Sequence, residues 1–293
     1  MTLRLRWLQL DVFSDRLFAG NPLAVVIDAG ALDGAQMQRI ARWTNLSETA
    51  FLLPPTQAAA DYRVRIFTPR QELPFAGHPS VGSAYAAIEA GCVDAGKTAL
   101  IQQCAAGLLA VQVSGHGARR VIHVQAPPAQ VRGADAALSD ALAAALHVEL
   151  PAEQVRRVDN GPRWILCHLG QAATVRGLQP DLSAIAALCL QRQAVGVGVF
   201  GREAAGEAAM AVRAFCPADG IPEDPVTGSA NAAIMAWLAE REDYAGYAPS
   251  YRASQGREVG RDGVVQVRHD RTNGAISIGG QCVIGVQGEL QLD

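Results

Sequence analysis

Apolar and polar residues alternate along residues 8–13, and short apolar runs stand at 23–27 and 50–53 between turn residues, which predicts strands at all three. Apolar positions at helical spacing predict a helix over residues 34–43, so Glu48 falls on the turn between that helix and the next strand. Further strands are expected at 99–101, 108–113 and 121–124, ahead of the pair Pro127-Pro128. A lobe boundary is placed there, giving an N-terminal lobe of residues 1–127 and a C-terminal lobe of residues 128–293. The second lobe shows a helical run at 136–146, a turn at Asn160-Gly161-Pro162-Arg163, a strand at 164–167 and a helix at 182–191. Strands at 264–268, 275–279 and 282–286 follow, the last of them free to pair with the first lobe. The fold class is mixed α+β.

The same pattern occurs twice. Val64-Arg65-Ile66-Phe67-Thr68-Pro69 is echoed by Val212-Arg213-Ala214-Phe215-Cys216-Pro217, and Gly82-Ser83-Ala84 by Gly228-Ser229-Ala230. The offsets of 148 and 146 predict a loop two residues shorter in the second copy. Each copy reads as a strand, a proline-stiffened loop and an alanine-rich helix starting near a Gly-Ser pair. One repeat of half the chain means two similar lobes rather than a solenoid. Free N–H groups and the positive dipole end at each helix start suit an anion, and two facing corners of this kind would suit a carboxylate.

Composition narrows the partners. A chain of 293 residues with 49% hydrophobic residues has enough apolar material for a core in each lobe. A net charge of −3 gives no electrostatic footprint for nucleic acid or for an anionic membrane surface, which leaves small-molecule chemistry. The amino terminus alternates as a strand does and lacks the apolar core of a signal peptide, and no segment reaches the length of a membrane span. Six cysteines without a CxxC pair read as reduced, cytoplasmic, mostly buried thiols.

Four constellations carry candidate chemistry. In Ser47-Glu48-Thr49 a carboxylate at a turn is oriented by neighbouring hydroxyls, either as a general acid/base or as a simple turn residue. The matching stretch of the second copy, Val195-Gly196-Val197-Gly198, has no acid, so one base would serve the pair of lobes. In Gly77-His78-Pro79 a histidine beside a helix start is a structural group or a proton donor, its imidazolium disfavoured by the dipole. In Glu223-Asp224-Pro225-Val226-Thr227-Gly228-Ser229 two acids precede a helix that Thr227 or Ser229 would cap, and Asp224 could hold an amino group. Gly196-Val197-Gly198-Val199-Phe200-Gly201 is a formal GxGxxG, but it lies where the repeat puts a strand, so no nicotinamide cofactor is expected. The remaining histidines show no metal-binding spacing, and no metal is expected.

At these residues the chain resembles the phenazine-biosynthesis isomerase-like family, the group around trans-2,3-dihydro-3-hydroxyanthranilate isomerase, which shares the diaminopimelate epimerase fold. The resemblance runs over Asp11-Val12-Phe13, Gly20-Asn21-Pro22, Asn45-Leu46-Ser47-Glu48, Phe67-Thr68-Pro69, residues 72–79 and residues 223–230. It implies two pseudo-symmetric lobes, each a mixed barrel-like sheet around a helix, with the site between them, no cofactor, and a homodimer. It also implies that Glu48 is the proton-shuttling acid/base, and that His78, Asp224 and Ser229 bind substrate and assist proton transfer. Ser47, Gly77 and Gly228 stand beside these as expected substrate ligands.

Related epimerases and racemases use one cysteine in each equivalent loop, where this chain has Gly77-His78 and Asp224-Pro225. A two-thiol racemase is therefore disfavoured. The expected activity is a cofactor-independent proton shift within a small cyclic or conjugated carboxylic acid. The alternatives are a cysteine-dependent amino-acid epimerase and a non-catalytic family member that binds a small molecule or a protein.

Overall fold

A computed structural model describes residues 3–292. Met1 and Thr2, where the expected amino-terminal alternation begins, and Asp293, where the expected second lobe ends, lie outside the described residues. Contacts divide the chain into two units: residues up to Gln125 together with those from Gly279 onward, and Ala126–Ile278.

The first unit begins with β1 (Leu3–Val12), β2 (Asn21–Val26), α1 (Gly34–Thr44) and β3 (Thr49–Leu53). It continues through β4 (Tyr62–Phe67), the short β5 (Glu72–Leu73), α2 (Gly77–Glu89), β6 (Ala99–Cys104), β7 (Gly107–Ser114) and β8 (Val121–Gln125). β1 pairs antiparallel with β2, β2 parallel with β3, β3 antiparallel with β4, and β4 parallel with β6. The sheet wraps α2, which touches β1, β2, β3, β4 and β8. That helix is buried from Gly77 to Ile88, which explains its small residues: a helix enclosed on every side has no polar face, and close strands leave no room for large side chains.

The second unit repeats this order with β9 (Gln130–Gly133), α3 (Ala136–Leu146), β10 (Val155–Asp159), β11 (Arg163–Gln171), α4 (Ala172–Gly177), α5 (Leu182–Arg192), β12 (Gly196–Arg202) and β13 (Met210–Cys216). Then come β14 (Ile221–Asp224), α6 (Gly228–Leu238), β15 (Ser250–Gln255), β16 (Gly263–His269) and β17 (Ile276–Gly280). β10 pairs antiparallel with β11, β11 parallel with β12, β12 antiparallel with β13, and β13 parallel with β15, as their counterparts do in the first unit. α6 is the enclosed helix here. The chain closes with β18 (Cys282–Leu292), which pairs antiparallel with β1.

Matching strand registers correct the expected alignment of the repeat. Thr49 faces Phe67 and Val197 faces Phe215, an offset of 148 in both strands. The enclosed helices, however, start at Gly77 and Gly228, an offset of 151. The second loop is thus three residues longer, not two shorter, and His78 corresponds to Ser229. Gly82-Ser83 does not mark the start of α2 but lies inside it. A Cβ on Gly82 would come within 2.5 Å of Leu23 and 2.8 Å of Val12, so its likeness to Gly228 reflects close packing rather than a shared helix start.

Candidate active site

Glu48 is delivered by the end of α1. Asn45 caps that helix in the left-handed region (φ 53°), a conformation asparagine tolerates, and its N–H bonds Ala41 O. The chain then turns into β3, pinned by a 2.8 Å hydrogen bond between the Thr44 and Thr49 hydroxyls. Glu48 Oε2 lies 3.7 Å from Nε2 of His78, which sits in the first turn of α2. His78 is 4% exposed, and burial pushes its pKa down to about 3. The pair is therefore a neutral imidazole facing a carboxyl group. On the other side of the ring, Asn21 Nδ2 lies 3.5 Å from Nδ1. An amide donating there leaves the ring proton on Nε2, towards Glu48. Ser47 Oγ is buried and has no hydrogen-bond partner among the described residues.

Holding His78 neutral has a consequence for stability. Between its folded pKa near 3 and its unfolded value near 6.5, the unfolded chain binds the extra proton. This contribution is complete above pH 6.5 and is lost as pH falls towards 3, with a slope of up to about 1.4 kcal/mol per pH unit. His78→Gln should flatten that part of the stability–pH curve in urea titrations. In the parent protein the His78 ring signals should not titrate between pH 5 and 8 by NMR.

In the second unit the counterpart of His78 is Ser229, and the counterpart of Glu48 is Gly196, which has no acid. The expectation that Thr227 or Ser229 caps α6 is not met. Thr227 occupies the N-cap position, but its hydroxyl donates to Asp224 Oδ2 at 2.5 Å. Gln255 fixes this corner, donating to Asp224 O and Thr227 Oγ1 and accepting the Thr227 N–H at 3.0 Å. Ser229 Oγ accepts from Trp164 Nε1 at 3.2 Å, and Asn160 Nδ2 donates to Ser229 O at 2.9 Å. No N-cap side chain takes a first-turn N–H of α2 or α6, so the dipole ends starting at Gly77 and Gly228 carry no side-chain cap.

The structure therefore joins Ser47, Glu48, Gly77 and His78 in one cluster, and Asp224, Gly228 and Ser229 in another. Asn21, Asn160, Trp164 and Gln255 were not singled out from sequence. Only their buried polar contacts reveal them, although Asn21 and Asn160 stand in turn motifs that were visible. The GxGxxG is strand β12, where glycines serve packing: a Cβ on Gly196 would sit 2.5 Å from Phe215 O. Among the described residues no group of three or more His, Cys, Asp or Glu is placed to hold a metal ion, and no helix is long and apolar enough to cross a membrane. Neither enclosed helix has a cysteine in its first turn; Cys92 is exposed, Cys104 half-buried, and the other four are buried.

Residues 10–288 match the family described as phenazine biosynthesis-like protein, and the chain belongs to that family. It is 35% identical to antisense-enhancing sequence 1 of Schizosaccharomyces pombe over 96% of this chain and 97% of that one. It is 31% identical to trans-2,3-dihydro-3-hydroxyanthranilate isomerase of Pseudomonas aeruginosa, over 93% of each. A solved PhzF-family phenazine biosynthesis protein from Bacillus anthracis superposes with a TM-score of 0.84 at 25% identity, covering all of both chains. The mixed α+β fold and the resemblance read from the sequence are those of this family, whose named members include isomerases.

Proposed function

We propose that the protein is a cofactor-independent isomerase that moves a proton within a small cyclic or conjugated carboxylic acid. The observation that carries this reading is the Glu48 carboxyl group 3.7 Å from a buried neutral His78 at an uncapped helix start. The Glu48 carboxylate takes a C–H proton, the electron pair spreads into the conjugated system, and the same carboxyl group returns the proton at another carbon. His78, with its proton on Nε2, steadies the developing charge or passes the proton on. The α2 and α6 N–H groups at Gly77 and Gly228 bind carboxylate or enolate-like oxygen, since preorganised donors stabilise charge as it forms. Ser47, Asp224 and Ser229 are further substrate ligands, with Asp224 taking the substrate amine or the proton in transit. The isomerase name carried by the Pseudomonas relative supports the reaction class.

The test is to incubate the protein with trans-2,3-dihydro-3-hydroxyanthranilate in D₂O and follow the ring C–H signals by NMR. Loss or migration of a ring signal is expected; complete silence would move the search to other carboxylic acids and favour a binding role. A thiol-dependent epimerase is separated by alkylation. Iodoacetamide should modify exposed Cys92 first, and activity should be retained, because no cysteine stands in either first turn. Inactivation in step with modification of Cys104 or Cys216 would reverse that conclusion.

A further inference from the structure

The two enclosed helices begin alike in backbone and differently in side chains. Leu73 pairs with Ile66, and Asp224 pairs with Ala214, so the strand register makes Leu73 the counterpart of Asp224. Ala76 and Thr227 then occupy matching N-cap positions, and neither side chain caps its helix. Along the helices Ser80 matches Asn231. Cys104 matches Gln255, because Tyr62 pairs with Gln102 where Met210 pairs with Ala253. The second unit thus carries Asp224, Thr227, Asn231 and Gln255 where the first has Leu73, Ala76, Ser80 and Cys104. All four are buried, and buried polar side chains cost more than apolar ones in the same place unless they are paired. The first unit forms the same helix start without them, so the fold does not require them.

Their hydrogen bonds run in one direction. Asn231 Nδ2 donates to Thr227 O at 2.9 Å and to Gln255 Oε1 at 3.2 Å, and the Thr227 N–H donates to the same Oε1 at 3.0 Å. A backbone N–H only donates and a carbonyl only accepts, so these partners fix which end of the Gln255 amide is oxygen. The amide nitrogen then donates its two protons to Asp224 O at 3.0 Å and to Thr227 Oγ1 at 2.9 Å. Because the Thr227 hydroxyl accepts from Gln255, its own single proton goes to Asp224 Oδ2 at 2.5 Å, a length typical of a hydroxyl bonded to an ionised carboxylate. We propose that Gln255 is a positioning residue: acting through Thr227, it holds Asp224 as a charged acceptor, and the site thereby selects carboxylic acids that carry a protonated amine. This rests on the isomerase reading for the reaction but not for the selectivity of binding.

The probes are three acids of similar size that cannot undergo the proton shift: 2-aminocyclohexanecarboxylate, whose amine is charged at neutral pH, anthranilate, whose aryl amine is not, and cyclohexanecarboxylate, which has none. Calorimetry on wild type should show a preference of about 10- to 100-fold for the charged amine over the amine-free acid, the worth of a hydrogen bond to a charged group, with anthranilate between them. Thr227→Val keeps the side-chain shape and removes the hydroxyl, and Gln255→Glu removes the amide protons. Each should lose about tenfold of that preference while binding cyclohexanecarboxylate as wild type does. Thr227→Ser, which keeps the hydroxyl, should keep the preference. A purely structural loosening of this corner would weaken all three acids alike, and if Gln255→Glu fails to fold, the pair Thr227→Val and Thr227→Ser decides. Equal binding of the charged and amine-free acids by wild type, a full preference retained by Thr227→Val, or no binding of any of the three would each overturn the proposal. If the preference holds while trans-2,3-dihydro-3-hydroxyanthranilate is not turned over, the positioning role stands and the isomerase reading fails; turnover without the preference means the reverse.

Discussion

Glu48→Gln should reduce the rate of ring-proton exchange on trans-2,3-dihydro-3-hydroxyanthranilate by about 10³-fold, within the range of about 10²–10⁴ that positioned acid–base groups contribute. Glutamine keeps the size and the hydrogen-bonding reach of the side chain, so Tm and anthranilate affinity should hardly move. What disappears is a group that accepts a proton from carbon and gives it back. His78→Gln should cost less on its own, because a neutral imidazole with its proton on Nε2 assists the carboxyl group rather than replacing it. The two losses should not add, since the residues act on one proton. If Glu48→Gln retains wild-type exchange, the base is another group and Glu48 is a turn residue.

Much of this arrangement is legible in the chain and some of it is not, for identifiable reasons. Alternation marks β1 and β4, short apolar runs mark the almost fully buried β2 and β3, and helical spacing marks α1, α3 and α5, which have one face on a core and one towards water. The enclosed helix α2 shows no such contrast, so spacing does not mark its start, and a repeat aligned on Gly82-Ser83 falls five residues beyond Gly77. The pattern does not predict strands β9, β10 and β15; Val155–Asp159 and Ser250–Gln255 carry charged residues that blur the alternation. Glu48 and His78 stand out in sequence as an acid at a turn and a His between Gly and Pro, and the fold sets their side chains 3.7 Å apart. Asn21 and Gln255 act through contacts between residues far apart in the chain, and no local pattern encodes those. The Thr227 hydroxyl was expected to cap a helix and instead serves Asp224, a choice between two nearby acceptors that only the fold decides.

The same repeat provides its own control for the largest expected change in stability. Arg213 holds Glu223 through two hydrogen bonds of 2.9 and 2.7 Å, and Arg65 holds Glu72 through two of 2.7 Å. Each guanidinium also lies over a phenylalanine, Phe215 at 4.9 Å and Phe67 at 5.1 Å. The two pairs differ in burial: the Arg213 and Glu223 side chains are both 8% exposed, against 24% for Arg65 and 36% for Glu72. Glu223→Gln strands the Arg213 charge, which cannot escape because its Nη1 also donates to Val175 O and Leu178 O. The expected loss is about 3–5 kcal/mol, a fall in Tm on the order of 10 °C. Glu72→Gln, on the wetter pair, should cost no more than about 1 kcal/mol. Replacing both partners, Arg213→Met with Glu223→Leu, should recover most of the stability, because removing a buried pair entirely avoids the stranded charge. It should not recover activity, since Glu223 precedes Asp224 in β14 and its ion pair fixes the strand from which Asp224 and Thr227 are presented. Urea midpoints for the four proteins decide the first point and exchange rates the second. Equal destabilisation by Glu223→Gln and Glu72→Gln would mean that burial does not set the worth of these pairs.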